Sequence, residues 1–370
     1  METKKYRFDE VTINFDKKRI PLSSAQREKR QGTFRYYGAQ GVIDHVDDYI
    51  YDGTYLLIAE DGENLKSKKQ NIAQVVDGQF WVNNHAHIVQ GNEQCDTRFL
   101  CYLINSMDLS GYVTGSAQPK LSQANLNAIT LSLPTLVEQK RIVEYLYMLD
   151  QKIDVNRQIN DNLADLLQTV YQERFGDTSL IANQGILSDI CSYSRDKVAV
   201  SELNVSTYFS TENMLSGKAG STKATSLPTT SQTTACHKGD TLISNIRPYF
   251  KKIVYCEDNC GCSTDVLCFT PSQPRYSAYL FSTLYADKFF AFMVAGSKGT
   301  KMPRGDKQQI MTYPVVLPSE EELAGFNTIA SPLLEQIYSN SAENKRLSIL
   351  RDTLLPKLMS GEIDVSAIQL

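Results

Sequence analysis

Two polar loops that begin with glycine carry residue types suited to binding phosphate. They read GSAQPKLS at residues 115–122 and GSKGTKMPR at residues 296–304. Lysine, arginine, hydroxyl groups and backbone amides all bind phosphate oxygens, and glycine lets the backbone approach a phosphate closely. A solvated surface is the alternative for any charged loop. Because both loops are small and basic and occupy equivalent places in the two halves of the chain, we favour contact with DNA.

The candidates for DNA contact are the cationic, polar and tyrosine side chains of these loops and of neighbouring turns. In the first half they are Tyr36, Tyr37, Gln40, Lys66, Lys68, Lys69, Gln118 and Lys120. In the second half they are Arg247, Tyr249, Lys251, Lys252, Lys298, Thr300, Lys301 and Arg304. Lysine, arginine and amide side chains also match the donors and acceptors of base edges in the major groove. The tyrosines at 36 and 37 lie beside a glycine turn, where tyrosines at the edge of a core are also common.

The sequence contains no convincing set of catalytic residues. A DNA adenine methyltransferase should carry an (N/D)-P-P-(Y/F) motif, and this sequence has no Asn-Pro or Asp-Pro dipeptide. The stretch GSKGTKM lacks the G-x-x-x-x-G-K-[ST] pattern of a nucleotide-binding loop. Since we also find no nucleophile beside a base, we expect no catalytic residue and no cofactor in this chain.

Neither the cysteines nor the histidines form a standard metal-binding pattern. Four cysteines of the second half form a cluster spaced C-x3-C-x-C-x5-C, which is not a usual zinc spacing; they are Cys256, Cys260, Cys262 and Cys268. His85 and His87 share one strand face but have no further ligands nearby in sequence. We therefore expect small, buried, reduced cysteines and structural histidines, and no bound metal.

Composition limits the class of protein and its location. A chain of 370 residues has room for two domains, and a net charge of −4 means that any basic surface must be local. The first residues lack the apolar core of a signal peptide, and the eight cysteines then indicate a reducing compartment. The most apolar run, 278–295, is interrupted by Asp287 and Lys288. We expect a cytoplasmic protein with no membrane partner.

Residues 133–160 have the pattern of a long amphipathic helix. Thr135 and Glu138 form a capping box, and apolar residues then recur at heptad spacing until Asn156 and Asn160 interrupt the seam. No glycine or proline occurs in 136–175. At 1.5 Å per residue, forty residues would form a rod of roughly 60 Å.

The same helix pattern returns 184 residues later. A second capping box lies at Ser319 and Glu322, and the two asparagines recur as Asn340 and Asn344. Asparagines in such a seam either face solvent or form hydrogen bonds to a partner helix, where they fix register at a cost in stability. The repeat favours the second interpretation, with each helix pairing with the other. Pro332 should kink the second helix and Pro356 should end it.

The segments before the two helices are similar in outline. Each contains a strand entered by a glycine turn, a mixed apolar helix, a glycine-led loop and a short final strand. We therefore predict a first globular domain at 1–134, a long helix at 135–177, a second globular domain at 178–317, and a second long helix with a C-terminal tail at 318–370. The resemblance described next implies that the two domains are target recognition domains and that the two helices are spacer helices. The predicted fold class is α+β: two similar domains and two long helices as an internal repeat. The resemblance described next implies that the domains are of mixed α/β type, and that two long antiparallel coiled-coil helices separate them with pseudo-two-fold symmetry.

Long stretches of this sequence resemble the specificity subunits of type I restriction–modification systems. They include FRYYGAQGVIDHVDDYIYDGTYLLIAEDG (34–62), LPTLVEQKRIVEYLYMLDQKIDVNRQINDNLADLLQ (from residue 133), GDTLISNIRPYFKKI (239–253), CGCSTDVLCF (260–269) and NKRLSILRDTLLPKLMSGEIDV (344–365). The resemblance implies that each head is a target recognition domain for half of a bipartite, double-stranded DNA sequence. The helices would act as spacer and docking surface.

The resemblance also implies partners. Two modification subunits would supply adenine methylation with S-adenosylmethionine, and motor–nuclease subunits that use ATP can join them. This chain would be a non-catalytic subunit of a DNA methyltransferase and restriction complex. The competing interpretation is a non-catalytic scaffold whose two heads bind proteins, against which the basic glycine loops argue.

Overall fold

The computed structural model of the protein describes residues 2–68, 70–116, 118–176 and 183–363. The chain forms two compact units: Met1–Ile153 with Lys345–Leu370, and Asp154–Asn344. Each unit therefore combines one globular head with part of both long helices. No helix of the described residues is long and apolar enough to cross a membrane.

The helices and strands alternate in an α+β arrangement. The helices are α1 (Ser24–Glu28), α2 (Asn64–Ser67), α3 (Thr97–Ser106), α4 (Gln123–Asn127), α5 (Leu136–Phe175), α6 (Ser277–Tyr285), α7 (Asp287–Ala295), α8 (Lys307–Met311) and α9 (Glu320–Ser360). The strands of the first head are β1 (Lys4–Arg7), β2 (Thr12–Asn14), β3 (Gln31–Gly38), β4 (Gly41–Val46), β5 (Tyr51–Asp52), β6 (Tyr55–Ala59), β7 (Ala73–Val76), β8 (Gln79–Val82), β9 (Ala86–Gly91) and β10 (Thr130–Leu133). Those of the second head are β11 (Gln184–Ile186), β12 (Cys191–Tyr193), β13 (Lys197–Ala199), β14 (Tyr208–Phe209), β15 (Gln232–Cys236), β16 (Thr241–Ser244), β17 (Ile253–Tyr255), β18 (Cys260–Cys262), β19 (Val266–Pro271) and β20 (Pro314–Val316).

One antiparallel sheet is built alike in the two heads. Its strand order is β2-β9-β6-β7 in the first head and β12-β19-β16-β17 in the second. The register also corresponds, because Ile58 pairs with His87 in the first sheet and Ile243 pairs with Leu267 in the second. The prediction of two similar mixed α/β heads is confirmed for this sheet.

A second four-stranded sheet differs between the heads. In the first head its order is β4-β3-β8-β5, with the parallel pair β3 and β8 at the centre. In the second head its order is β13-β15-β18-β14, with the parallel pair β14 and β18 at one edge. Each head thus has one sheet of the same topology as in the other head, and a second sheet whose topology differs between the heads.

The long helices contribute to the core of each unit. Ile142 and Leu146 of α5 and Leu358 of α9 are buried in the first unit, where they join the cluster that contains Phe99. In the second unit Phe326 of α9 lies within a group of aromatic rings that also contains Tyr171, Phe175 and Tyr279. Burial of such large apolar side chains, at about 25 cal/mol per Å², is what holds each head to its pair of helix segments.

Both long helices begin with the predicted capping boxes. The backbone amide of Thr135 donates to Glu138 at 2.9 Å, and the amide of Ser319 donates to Glu322 at 2.8 Å. The reciprocal bonds from the Glu138 and Glu322 amides to the hydroxyls are 3.4 and 3.2 Å long. These contacts satisfy amides that would otherwise lack partners at the helix starts.

The four seam asparagines form hydrogen bonds between α5 and α9 within the second unit. Asn156 Nδ2 donates to the Asn344 side-chain oxygen at 2.9 Å and to Glu343 at 2.7 Å. Asn160 Nδ2 donates to the Ile337 carbonyl at 3.1 Å, and Asn340 Nδ2 donates to the Asn160 oxygen at 2.8 Å. Asn156 and Asn340 are buried. The amides therefore link the two helices and do not face solvent.

The sequence had predicted that the second long helix ends at Pro356, and this prediction is wrong. The helix continues to Ser360. Leu358 beyond the proline is buried in the core of the first unit, and Leu354, Leu355 and Met359 pack against the same cluster. Burial of this turn offsets the backbone hydrogen bond that a proline removes. The helix is likewise continuous through Pro332.

Candidate nucleic-acid interface

The two glycine-led loops close in the same way. Thr114 and Lys120 exchange backbone hydrogen bonds of 2.9 and 2.8 Å, and Lys298 and Arg304 exchange bonds of 2.9 and 3.0 Å. Both members of the second pair lie 184 residues after their counterparts. The loops are therefore equivalent structures, each a narrow turn held by its own ends.

Each loop is also attached to the segment that follows a central strand of its head. The Pro119 carbonyl accepts from the Gly62 amide at 3.1 Å, after β6. The Pro303 carbonyl accepts from the Arg247 amide at 2.8 Å, after β16. The shared sheet therefore places each loop beside a second segment that contains predicted site residues.

Glycine is required at position 115 of the first loop. Gly115 has φ +85°, and a Cβ there would lie 2.3 Å from the Gln118 carbonyl oxygen. Gly299 has φ +100°, but the nearest atom to a Cβ at that position would be 3.5 Å away. Both conformations are ones that residues with side chains seldom adopt.

In the first loop the cations have partners within the protein. The Lys66 ammonium donates to the carbonyls of Gly115 and Ser116 at 2.9 and 3.2 Å, so it braces the loop. Lys120 Nζ lies 3.3 Å from a carboxylate oxygen of Glu60, although more than half of its side chain is exposed. Gln118 is exposed at the loop tip. The first loop thus offers an amide and a partly neutralised lysine.

The other candidates of the first head divide by exposure. Gln40 is exposed in the turn between β3 and β4. Lys68 is exposed but donates to the Met107 carbonyl at 2.9 Å and lies 3.4 Å from Asp108. Lys69 lies outside the described residues. Lys66 is bound to the loop and Lys68 to Met107 and Asp108, whereas Gln40 is exposed to solvent.

Tyr36 and Tyr37 lie in the core, which is the alternative that the sequence had left open. Tyr36 is fully buried, and its hydroxyl accepts from the Leu22 amide at 2.9 Å. Tyr37 is 4% exposed and packs edge-on against Phe80 at 5.7 Å between ring centroids. Because neither ring has a free face, we leave both tyrosines out of the proposed interface.

The second loop presents more open positive charge. Thr300 and Lys301 are exposed at its tip, and Lys301 has no ion-pair partner among the described residues. Lys298 Nζ lies 2.6 Å from Asp306, and Arg304 lies 3.1 Å from Asp265, yet both side chains remain more than half exposed. The carboxylates orient these two cations without burying them.

The segment 247–252 lies beside the second loop and is strongly curved. Arg247 and Lys251 both have φ +51°, and Tyr249 projects outward with about half of its surface exposed. The guanidinium Nε of Arg247 is buried without a hydrogen-bond partner among the described residues. Lys252 points inward, donates to the Thr211 carbonyl at 2.6 Å, and has a pKa lowered by burial. Lys252 is therefore a structural residue, whereas Tyr249 is open to a ligand.

One basic residue of this region was missed by the sequence interpretation. Lys218 has φ +64°, and its amide donates to the Lys251 carbonyl at 2.9 Å. The ammonium groups of Lys218 and Lys251 lie 2.7 and 3.1 Å from Asp287, and these hydrogen bonds lower the pKa of Asp287. No local pattern points to Lys218, because its partners lie more than thirty residues away in sequence.

Five cysteines of the second head line a small apolar core. Cys236, Cys256, Cys260, Cys262 and Cys268 are all buried together with Met214 and Leu242. The sulfur atoms of Cys256 and Cys260 lie 3.6 Å apart. Within the described residues, no group of three or more side chains is placed to hold a metal ion.

Comparisons with known proteins point to one family. Residues 2–164 match the family model described as "Type I restriction modification DNA specificity domain". A Haemophilus influenzae protein described as a type I restriction enzyme specificity subunit is 36% identical over 138 residues, which are 37% of this chain and 35% of that protein. The EcoprrI specificity subunit of Escherichia coli is 26% identical over 125 residues, covering 33% of this chain and 30% of its own length. The matches thus span about a third of these relatives.

The fold has a counterpart among solved structures. The crystal structure of a type I restriction–modification S subunit from M. genitalium superimposes with a TM-score of 0.56 at 15% identity, and the alignment covers 97% of this chain and 96% of that one. At this identity the likeness concerns the fold alone. The family-model match over residues 2–164 agrees with the resemblance found in the sequence, and the structural likeness agrees with the predicted fold class.

Proposed function

We propose that this chain, whose residues 2–164 match the family model of a type I restriction modification DNA specificity domain, binds double-stranded DNA and reads its sequence as the specificity subunit of a type I restriction–modification complex. The observation that carries the proposal is the pair of loops, 114–120 and 298–304. Each closes through the same backbone bonds and attaches to the same place on its head. Because the same basic loop occurs twice in one chain, the two loops could bind two stretches of the phosphate backbone of DNA.

The proposed contacts fall into two groups. Phosphates would be bound by the exposed cations, which are Lys120, Lys298, Lys301 and Arg304. Bases would be read by side chains that carry both donors and acceptors or a flat ring, which are Gln40, Gln118, Tyr249 and Thr300. Two other predicted residues support these contacts: Lys66 braces its loop, and Lys252 anchors its turn.

We further propose that each head reads one half of a bipartite site. One sheet has the same topology in both heads and the other sheet differs, so the two heads can present different surfaces on a similar fold. Both long helices contribute to both compact units, and we propose that helix length sets the gap between the half-sites. The chain itself would not catalyse a reaction. Two modification subunits with S-adenosylmethionine, and in a full complex motor–nuclease subunits with ATP, would dock on the helices.

The first experiment selects DNA from a random duplex library with the purified full chain, alone and with its modification subunits. We expect enrichment of a two-part sequence with a constant gap. Affinity for the selected duplex should fall steeply between about 50 and 200 mM salt, because phosphate contacts release counterions. Binding that is independent of salt, or enrichment of no sequence, would contradict the proposal and favour a scaffold whose heads bind proteins.

A second experiment tests the helices as a spacer. One heptad is inserted into α5 between Asn156 and Asn160 and a matched heptad into α9 between Asn340 and Asn344, which keeps the seam in phase and both asparagine pairs opposite each other. The gap preferred in the selection should lengthen while both half-sites keep their sequence. An unchanged gap in a folded variant would show that the helices do not set the distance.

A further inference from the structure

A buried cluster of charged side chains lies beneath the first loop. His87 is 1% exposed, and its ring nitrogens Nδ1 and Nε2 lie 2.6 Å from Asp16 Oδ2 and 2.8 Å from the Leu121 carbonyl oxygen. Arg19 completes the cluster, since its guanidinium donates to Glu60 at 2.9 Å and lies 3.4 Å from Asp16. Tyr51 packs nearby and donates its hydroxyl to the Phe15 carbonyl at 3.3 Å.

The partners of His87 determine its protonation state. A carboxylate and a carbonyl are both acceptors, so each ring nitrogen must donate, and only the imidazolium carries a proton on both. Burial lowers the pKa of His87. The hydrogen bonds to Asp16 and to the Leu121 carbonyl, with the charges of Asp16 and Glu60, outweigh burial and raise that pKa above its ordinary value. Burial raises the pKa of Asp16, but its hydrogen bonds from His87 and from the Ile88 amide, with the charges of His87 and Arg19, lower it overall.

The cluster is connected directly to the loop. Leu121, whose carbonyl accepts from His87, follows Lys120, the residue that closes the loop against Thr114. The Leu121 amide donates to the Glu60 carbonyl at 2.8 Å, and Lys120 Nζ lies 3.3 Å from the Glu60 carboxylate. One end of the loop therefore rests on the imidazolium and on its neighbouring carboxylate.

The second head lacks this arrangement. The residue at the position of His87 is Leu267, because Ile243 pairs with Leu267 as Ile58 pairs with His87. The second loop is held instead by surface pairs, Lys298 with Asp306 and Arg304 with Asp265. The two loops thus have equivalent backbone hydrogen bonds, but a buried histidine contacts the first loop and a leucine occupies that position in the second head.

We propose that protonated His87 is a positioning residue that holds the 114–120 loop in its DNA-binding shape, so that binding by the first head weakens at alkaline pH while binding by the second head does not. The inference rests on the proposed DNA-binding function. The pKa of His87 is raised in the folded protein. The stabilisation of the loop by the imidazolium is therefore complete below the ordinary histidine pKa of about 6.5, and it is lost as the pH rises through the higher pKa of the folded state. Asp16, Arg19, Glu60 and Lys120 are the charged groups that face the ring, and the pKa values of Asp16 and Glu60 are lowered, so both remain carboxylates as the pH rises.

The first measurement concerns the loop and needs no DNA. In the full chain labelled with ¹⁵N-histidine, both ring nitrogens of His87 should carry protons at about pH 6.5, and the protection of the Thr114 and Lys120 amides from hydrogen exchange should fall as the ring loses its proton. The amides of Lys298 and Arg304 serve as the internal control and should keep their protection, after correction for intrinsic exchange. A singly protonated ring at that pH, or loop protection that ignores the titration, would overturn the proposal.

The second measurement is binding to duplexes that vary in one half-site at a time. Between about pH 6.5 and pH 9, affinity for the first half-site should fall about threefold to tenfold, the equivalent of one net hydrogen bond. His87→Leu, which copies the second head, and the milder His87→Gln should start weaker and lose the pH dependence. His45→Asn is the matched control, since His45 is an exposed histidine of β4 in the same head.

The two proposals fail in different ways. If the chain binds no DNA at any pH while the loop follows the titration, the proposed function fails and the role of His87 in holding the loop remains. If DNA binds in a salt-dependent way but the wild-type pH profile is flat for both half-sites, the role of His87 fails alone.

Discussion

Arg351 of the second long helix and Asp150 of the first form an ion pair at the helix seam, with Nη1 2.7 Å from Oδ1. The hydroxyl of Tyr102 donates to the other oxygen of Asp150 at 2.5 Å, so the carboxylate joins α3 to both long helices within the first unit. An arginine at a seam position would by itself loosen the packing of the second helix. The structure shows that Asp150 and Tyr102 compensate for it.

Replacing Asp150 with Asn should destabilise the first unit. The amide keeps one acceptor but turns a donor towards either Tyr102 or Arg351, and leaving a partly buried group unpaired costs about 1–3 kcal/mol. Chemical unfolding would measure the loss. The control is Asp154→Asn, which removes an exposed pair with Arg157 on the same helix and should leave stability nearly unchanged. Equal effects of the two substitutions would show that the seam pair has no special weight.

The asparagines predict an asymmetry between single and double substitutions. Asn160→Leu removes the acceptor of Asn340, which is only 7% exposed, and should lower stability by about 1–3 kcal/mol. Asn160→Leu combined with Asn340→Leu removes both polar groups and should recover most of that loss. Asn162→Leu, at an exposed position of the same helix, is the control. Additive losses in the double variant would exclude this pairing.

Alanine at the two loop glycines should have unequal effects. Both backbones are left-handed and would be strained by about 1–2 kcal/mol. At Gly115 the new Cβ would also collide with the Gln118 carbonyl, whereas Gly299 has room for it. We expect Gly115→Ala to weaken recognition of the first half-site more than Gly299→Ala weakens the second, as measured by gel shift. Gly111→Ala, where no atom lies within 4 Å of the added carbon, should change neither.

The salt dependence of binding tests Lys301. Removing one phosphate contact should reduce the slope of log affinity against log salt by about 1, with similar effects on related sequences. Lys301→Ala should show this reduction in a titration by fluorescence anisotropy. Lys223→Ala changes an exposed lysine outside the loop and should leave the slope as in the wild type. A slope unaffected by Lys301→Ala would remove this residue from the interface.

Much of the architecture could be predicted because its signals are local. The capping boxes at Thr135 and Ser319 and the heptad spacing of the seams follow from helix geometry, so they can be recognised in any single stretch. Equivalent loops could be located for the same reason, since glycine, proline and basic residues recur at one offset. A predicted helix end at Pro356 failed because tertiary burial of Leu358 outweighs a local preference.

The amino-acid sequence by itself determined the repeat, the two long helices with their paired amides, and the position of the two loops. Only the tertiary structure decided which cations are open to a ligand. Lys120, Lys298 and Arg304 each meet a carboxylate, Lys252 turns inward, and Lys301 stands clear. The physical reason is that burial and ion pairing depend on residues far apart in the chain, such as His87 and Asp16, which no local period can bring together.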